Sequence, residues 1–249
     1  FRQLTPAGAR GDEMIRNLAR RLVKVDLLTQ AADLLEYQVD NRLKGGAQSQ
    51  VAADLAVIRI ADRDPEGALR VLNRTKLADL SPMLERQRRV LEARALIDAG
   101  RQDMAIDLLS RVEVRRADLL RVEGYWKNQN FGMAAELLES MQSESTDGLR
   151  TQQGRMDVIR AAVGFVLSDD RMGLSRLRSK FADAMSLSAE WPMFDFVTGE
   201  VSATSLEFRR VAREVSGLDS LNAFLESYGR LYAGAGGIIP AQAAARKQA

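Results

Sequence analysis

The sequence predicts an all-α solenoid built from helix pairs, and three observations carry that expectation. A small residue is followed four positions later by leucine five times: Ala31 with Leu35, Ala68 with Leu72, Ala105 with Leu109, Ala134 with Leu138, and Gly173 with Leu177. Successive units are offset by 37, 37, 29 and 39 residues, inside the 20 to 50 period of helical repeats, and Ala19, Ala56, Ala93 and Ala161 each stand twelve positions before the first small residue of their unit. The interior must also be filled with little aromatic material, since 46% of residues are apolar and only 6% aromatic. Alanine, leucine and valine therefore make the core, the first two of them favour helix, and small side chains allow close helix packing.

Residues 1–11 contain Pro6, Gly8 and Gly11 and read as a lead-in. Asp12 can cap a helix carrying Ile15, Leu18, Ala19 and Leu22, and a second helix holds Ala31, Leu34, Leu35 and Val39. Gly45 and Gly46 are expected to end this hairpin. The second unit starts near Ser49, and Asp64-Pro65-Glu66 supplies an N-cap, a proline at the first helical position and an acid in the first turn. Ser81-Pro82 opens the third unit in the same way, with Gly100 closing its first helix and Asp103 capping its second. The fourth unit is compressed, with Val122 at the small-residue position, and Thr146-Asp147-Gly148 turns the chain into the fifth. There Gly173 replaces alanine, and Arg176 stands where the other units carry Leu34, Val71, Leu108 and Leu137. Residues 12–182 thus hold five repeats. In residues 183–233, Trp191 to Phe196 reads as an aromatic connector. Thr204 to Glu207 then has capping-box spacing, Gly217 breaks the chain, and Asp219 can cap a last helix with Leu221, Phe224, Leu225, Tyr228, Leu231 and Tyr232. The two helices of this segment are expected to close the stack, and residues 234–249 to form a flexible tail.

A small residue late in the first helix, an alanine twelve positions on and a large apolar residue four later form the skeleton of the tetratricopeptide repeat. The chain resembles that family over residues 12–182, best in the pairs Ala19 with Ala31, Ala56 with Ala68 and Ala93 with Ala105. The resemblance implies a right-handed superhelix of antiparallel helix pairs whose first helices line a concave face and bind a peptide or helix from a protein partner. Projecting those helices outward from the small-residue contact places Arg16, Arg20, Lys24, Arg94 and Arg116 on that face, with Trp126 and Phe165 as apolar neighbours, a pattern suited to an acidic partner. Asp54 stands where relatives that hold a C-terminal carboxylate need an amide, which argues against that ligand.

Composition narrows the chemistry. The chain has neither cysteine nor histidine, which excludes disulfides, thiolate metal sites and nucleophiles activated by histidine. Asp169 with Asp170 and Glu136 with Glu139 sit at a helix start and on a charged helix face, and no phosphate loop or metal-spaced cluster accompanies them. A non-catalytic scaffold without metal or cofactor is expected, a segment of a larger bacterial assembly or regulatory protein. Net charge is only +2, from 36 basic and 34 acidic residues, although arginines outnumber lysines 30 to 6. Nucleic-acid binding is one alternative and self-association through the C-terminal helices another. No apolar run reaches the length of a membrane span, and no signal sequence stands at the start. A cytoplasmic location is expected, or a periplasmic one for a fragment whose leader was removed, since the chain begins at Phe1.

Overall fold

The computed structural model describes residues 5–112, 115–143, 148–216 and 220–232. All regular structure among them is helical. Five helix pairs come first: α1 (Ala9–Lys24) with α2 (Leu28–Asn41), α3 (Gly45–Ala61) with α4 (Pro65–Arg74), α5 (Pro82–Asp98) with α6 (Gln102–Ser110), α7 (Arg115–Lys127) with α8 (Phe131–Ser143), and α9 (Gln152–Leu167) with α10 (Arg171–Met185). Three further helices follow, α11 (Trp191–Thr198), α12 (Leu206–Ser216) and α13 (Ser220–Tyr232).

The pairs share one turn. Each is joined by three residues, and the middle one, Asp26, Arg63, Gly100, Gln129 or Asp169, has φ between 54° and 79°. The residue after it donates its amide to a carbonyl five positions back: Leu27 to Leu22, Asp64 to Arg59, Arg101 to Leu96, Asn130 to Tyr125 and Asp170 to Phe165, at 2.8–2.9 Å. This is the six-to-one bond of a Schellman C-cap, which satisfies orphan carbonyls while reversing the chain. Only Gly100 takes the left-handed conformation without steric strain; the other four turns impose it on a side-chain-bearing residue.

The small residues lie where the pairs close. Ala19, Ala31, Ala56, Ala68, Ala93, Ala105, Ala134 and Ala161 are all fully buried, so a larger side chain at any of them would force helices apart. Asp64 and Ser81 cap α4 and α5 as the sequence suggests, accepting from the amides of Gly67 and Leu84 at 2.8 and 3.3 Å. Other boundaries differ. Helix α1 begins at Ala9, so Asp12 lies inside its first turn and pairs with Arg42 at 2.6 Å. Gly45, with φ of 62°, is the first residue of α3 instead of the end of a hairpin. Asp103 lies inside the first turn of α6. Ser205, not Thr204, caps α12, accepting from the Phe208 amide at 3.1 Å. The aromatic stretch at Trp191 is helix α11, not a connector. Thr146, Asp147, Gly217, Asp219 and residues 234–249 lie outside the described residues.

The chain divides into two compact units, residues 1–108 with 219–249, and residues 109–218. In the first, α3 packs against α2, α4 and α5. Every residue from Val51 to Ile58 is buried, as expected of a helix enclosed on all sides. Its remaining side is taken by α13, which returns to this unit. In the second, α9 is enclosed by α8, α10, α11 and α12, around a core of Val122, Leu138, Ile159, Phe165, Leu177, Phe181, Phe194, Phe208 and Val215. The C-terminal helices therefore do not close one end together: α11 and α12 cover α9, and α13 covers α3.

Candidate partner-binding faces

Helix α13 presents Leu221, Phe224, Leu225, Tyr228 and Tyr232 on one side, all buried. These positions follow helical spacing, and the aromatic members stack in a row, with ring centroids 5.9 Å apart for Phe224 and Tyr228 and 4.8 Å for Tyr228 and Tyr232. The row lies against α3 and reaches α5 through two polar anchors. The Gln87 amide donates to the Tyr228 hydroxyl at 2.5 Å, and the Arg94 guanidinium sits over the Phe224 ring at 5.5 Å. Burial holds the Tyr228 hydroxyl protonated well above the usual tyrosine range. The nearby charge of Asp54 adds to that shift, and the Gln87 hydrogen bond opposes it.

This arrangement corrects one expected partner contact. Arg94 is 1% exposed: it is held by Asp98 through bonds of 2.8 and 2.5 Å and roofed by Phe224. A wheel drawn on α5 alone puts Arg94 outward, and outward is where α13 lies. Phe165 is likewise fully buried. It stands four positions after Ala161, as Val23, Ile60 and Ile97 stand four after Ala19, Ala56 and Ala93, and all four belong to the core. Phe165 is a repeat-packing residue, accommodated because Gly173 opposite has no Cβ; one built there would approach the ring to 2.5 Å.

Trp126 occupies the same register after Val122 and is half-buried. Phe131 meets it edge-on at 5.3 Å, and Arg160 covers its face at 4.7 Å. Burial draws the Arg160 pKa below the usual arginine value, opposed by the charges of Asp157 and Glu123. The Arg116 side chain lies outside the described residues.

Arg16, Arg20 and Lys24 are brought together on one side of α1, opposite buried Ile15, Ala19 and Val23. Arg16 and Arg20 are half-buried, Lys24 is exposed, and Arg20 donates to Asn17 at 2.6 Å. Sequence reasoning missed Gln87, Phe224 and Tyr228 as parts of a binding surface. The signal for them was the unbroken run of small, apolar and single-acid positions along α3, which needs one more neighbour than its own repeats supply.

Among the described residues no group of three or more acidic side chains could hold a metal ion, and no helix is long and apolar enough to cross a membrane. No family model, curated protein or solved structure matches the chain, so its faces are read on their own chemistry.

Proposed function

We propose that this chain is a non-catalytic, tetratricopeptide-like scaffold that binds a peptide or helix of a protein partner on the surface of its first helices, as one segment of a larger bacterial assembly. The observation that carries the reading is α13 itself. An amphipathic helix lies against α3 and α5 and is anchored by aromatic rings, a glutamine amide and a guanidinium, the same elements that helix-in-groove recognition uses between proteins. The five helix pairs with a common turn support the repeat reading, and a concave superhelix is its natural extension.

The basic stripe on α1 is the part of this surface that suits an acidic partner. Arg16, Arg20 and Lys24 occupy the register in which α3 carries Ala53, Val57 and Ala61 and α5 carries Val90, Arg94 and Asp98. Capture from native cells with Arg20→Glu/Lys24→Glu is the test, with Arg171→Glu as control because the Arg171 side chain is 92% exposed on α10. Loss of at least one partner retained by wild type and control is expected. Identical partner sets for all three proteins overturn the assignment of the α1 face.

A further inference from the structure

We propose that α13 is the displaceable resident of a helix-binding groove on α3 and α5, and that the protein partner enters with a helix of the same pattern. That pattern is aromatic residues at i, i+4 and i+8 with tyrosine in the middle. The inference rests on the scaffold reading and names its partner class.

The groove is unlike the other helix contacts of its unit. Where α3 meets its repeat neighbours the buried partners are Leu35, Val39, Leu69, Leu72 and Leu91, which are apolar throughout. Toward α13 the chain offers Gln87, Arg94 and Asp54, each at most 3% exposed. A permanently closed contact gains little from a buried amide and guanidinium over well-packed hydrocarbon. A face that alternates between covered and open gains solubility from them when open and a specific anchor for one hydroxyl when covered.

The tether points the same way. Helix α13 follows α12, which belongs to the other compact unit, and Gln87 and Tyr228 are 141 residues apart. Nothing next to α13 in sequence packs with it in the groove, so its position depends on the interface alone. Thirteen residues are also too few for a stable isolated helix, so release costs α13 its order and an incoming preformed helix competes from an advantage. Occupation in cis then lowers the apparent affinity for any competitor by the fraction of chains whose groove is open.

The test uses the full chain and a fluorescein-labelled peptide of residues 218–233, read by anisotropy. Tyr228→Ala in the chain weakens the resident and leaves the groove intact, so the wild-type peptide should bind at least tenfold tighter to that variant than to the unmodified chain. Tyr228→Ala in the peptide, or Gln87→Ala added to the chain, should remove most of the gain. Should Tyr228→Ala lose helical circular dichroism, a protease site placed at 217–219 and cut in the folded chain releases α13 without altering it, with the same expected gain. Equal peptide affinity for wild-type and weakened chains overturns the proposal, as does a gain indifferent to Gln87. A light-scattering mass that rises to a dimer assigns the groove to a second copy's α13 and overturns the separate partner helix. None of these results depends on the α1 stripe, so the two readings fail independently.

Discussion

Replacing Arg94 separates a buried staple from a surface contact, because the two roles predict opposite results in a stability measurement. The guanidinium makes two charge-assisted bonds to Asp98, at 2.8 and 2.5 Å, and lies over Phe224 at 5.5 Å. Hydrogen bonds to charged groups contribute about 1.5–3 kcal/mol, and a desolvated cation over an aromatic ring up to about 2 kcal/mol. Breaking a buried pair by removing one member typically costs about 3–5 kcal/mol, and the lower end applies here because Asp98 keeps 17% exposure and partial hydration. Arg94→Ala should therefore destabilise the chain by about 3 kcal/mol. Arg94→Glu should exceed that, since it sets like charges together beneath Phe224. Arg94→Met/Asp98→Leu should recover most of the loss by removing both charges and keeping the volume. Urea titrations followed by circular dichroism, with slopes compared, give these values. An Arg94→Glu chain that unfolds at the wild-type midpoint yet loses a partner would refute the reasoning, because the guanidinium would then lie on the surface and α13 elsewhere.

Three further substitutions test the packing. Gly173→Ala should destabilise by about 1–3 kcal/mol by overpacking Phe165, although alanine is the better helix former, and Phe165→Ile in the same chain should restore at least half; a stabilised single variant contradicts the close contact. Arg88 is buried and donates to the carbonyls of Ser49 and Leu72 at 2.8 and 2.6 Å and to the Thr75 hydroxyl at 3.1 Å, so Arg88→Ala should cost about 3 kcal/mol in the same titration by orphaning two carbonyls. An unchanged midpoint places Arg88 outside that cage. Tyr228 is held protonated by burial, with Gln87, Asp54 and Tyr232 around its hydroxyl and Arg94 over the neighbouring Phe224. Because its folded pKa is raised, its contribution is fully present below the unfolded value near about 10 and falls away above it, by up to about tenfold in equilibrium constant per pH unit. Stability measured from pH 9 to 11 should drop more steeply in wild type than in Tyr228→Phe, and parallel curves exclude the linkage.

The elements legible in the sequence are those whose signal is local or periodic. The alanine register located all five helix pairs because every one of those alanines sits at zero exposure between two helices, and Asp64 and Ser81 announced their helices because a cap and a proline at the first position act within three residues. The turns were not legible. Four of the five place Asp26, Arg63, Gln129 or Asp169 in a left-handed conformation that glycine would have advertised, while Gly45, which resembled a stop, opens a helix. Asp12 and Asp103 lie in first turns, where an acid favours the helix dipole whether or not it is the cap. Of the expected face, Arg16, Arg20 and Lys24 share one side of α1. Arg94 was misplaced because the helix that buries it lies some 130 residues further along the chain, beyond the reach of any pattern read on α5.

The arginine excess has a structural explanation with the period of the repeat. Glu36 on α2 takes Arg74 on α4, Glu66 on α4 takes Arg101 before α6, and Glu139 on α8 takes Arg176 on α10, at separations of 38, 35 and 37 residues. Arg59 joins Glu36 at 2.6 Å and Arg155 joins Glu190 at 2.6 Å. An acid on one second helix thus meets a guanidinium one unit later, and a planar fork serves that span better than an ammonium because it can hold a carboxylate by two bonds, as Arg176 holds Glu139. Half-exposed pairs of this kind contribute at most about 1 kcal/mol each, so they do not hold the stack together. What they do is penalise a slipped stacking register, in which each guanidinium would face the wrong helix. Charges committed to neighbouring units in this way do not form a continuous basic stripe for a phosphate backbone, and the balance of 36 basic against 34 acidic residues follows from the pairing. The first unit has no preceding second helix to pair with, and on its α1 the cations Arg16, Arg20 and Lys24 accumulate on one side, where an acidic partner could supply the carboxylates that later units draw from their own neighbours.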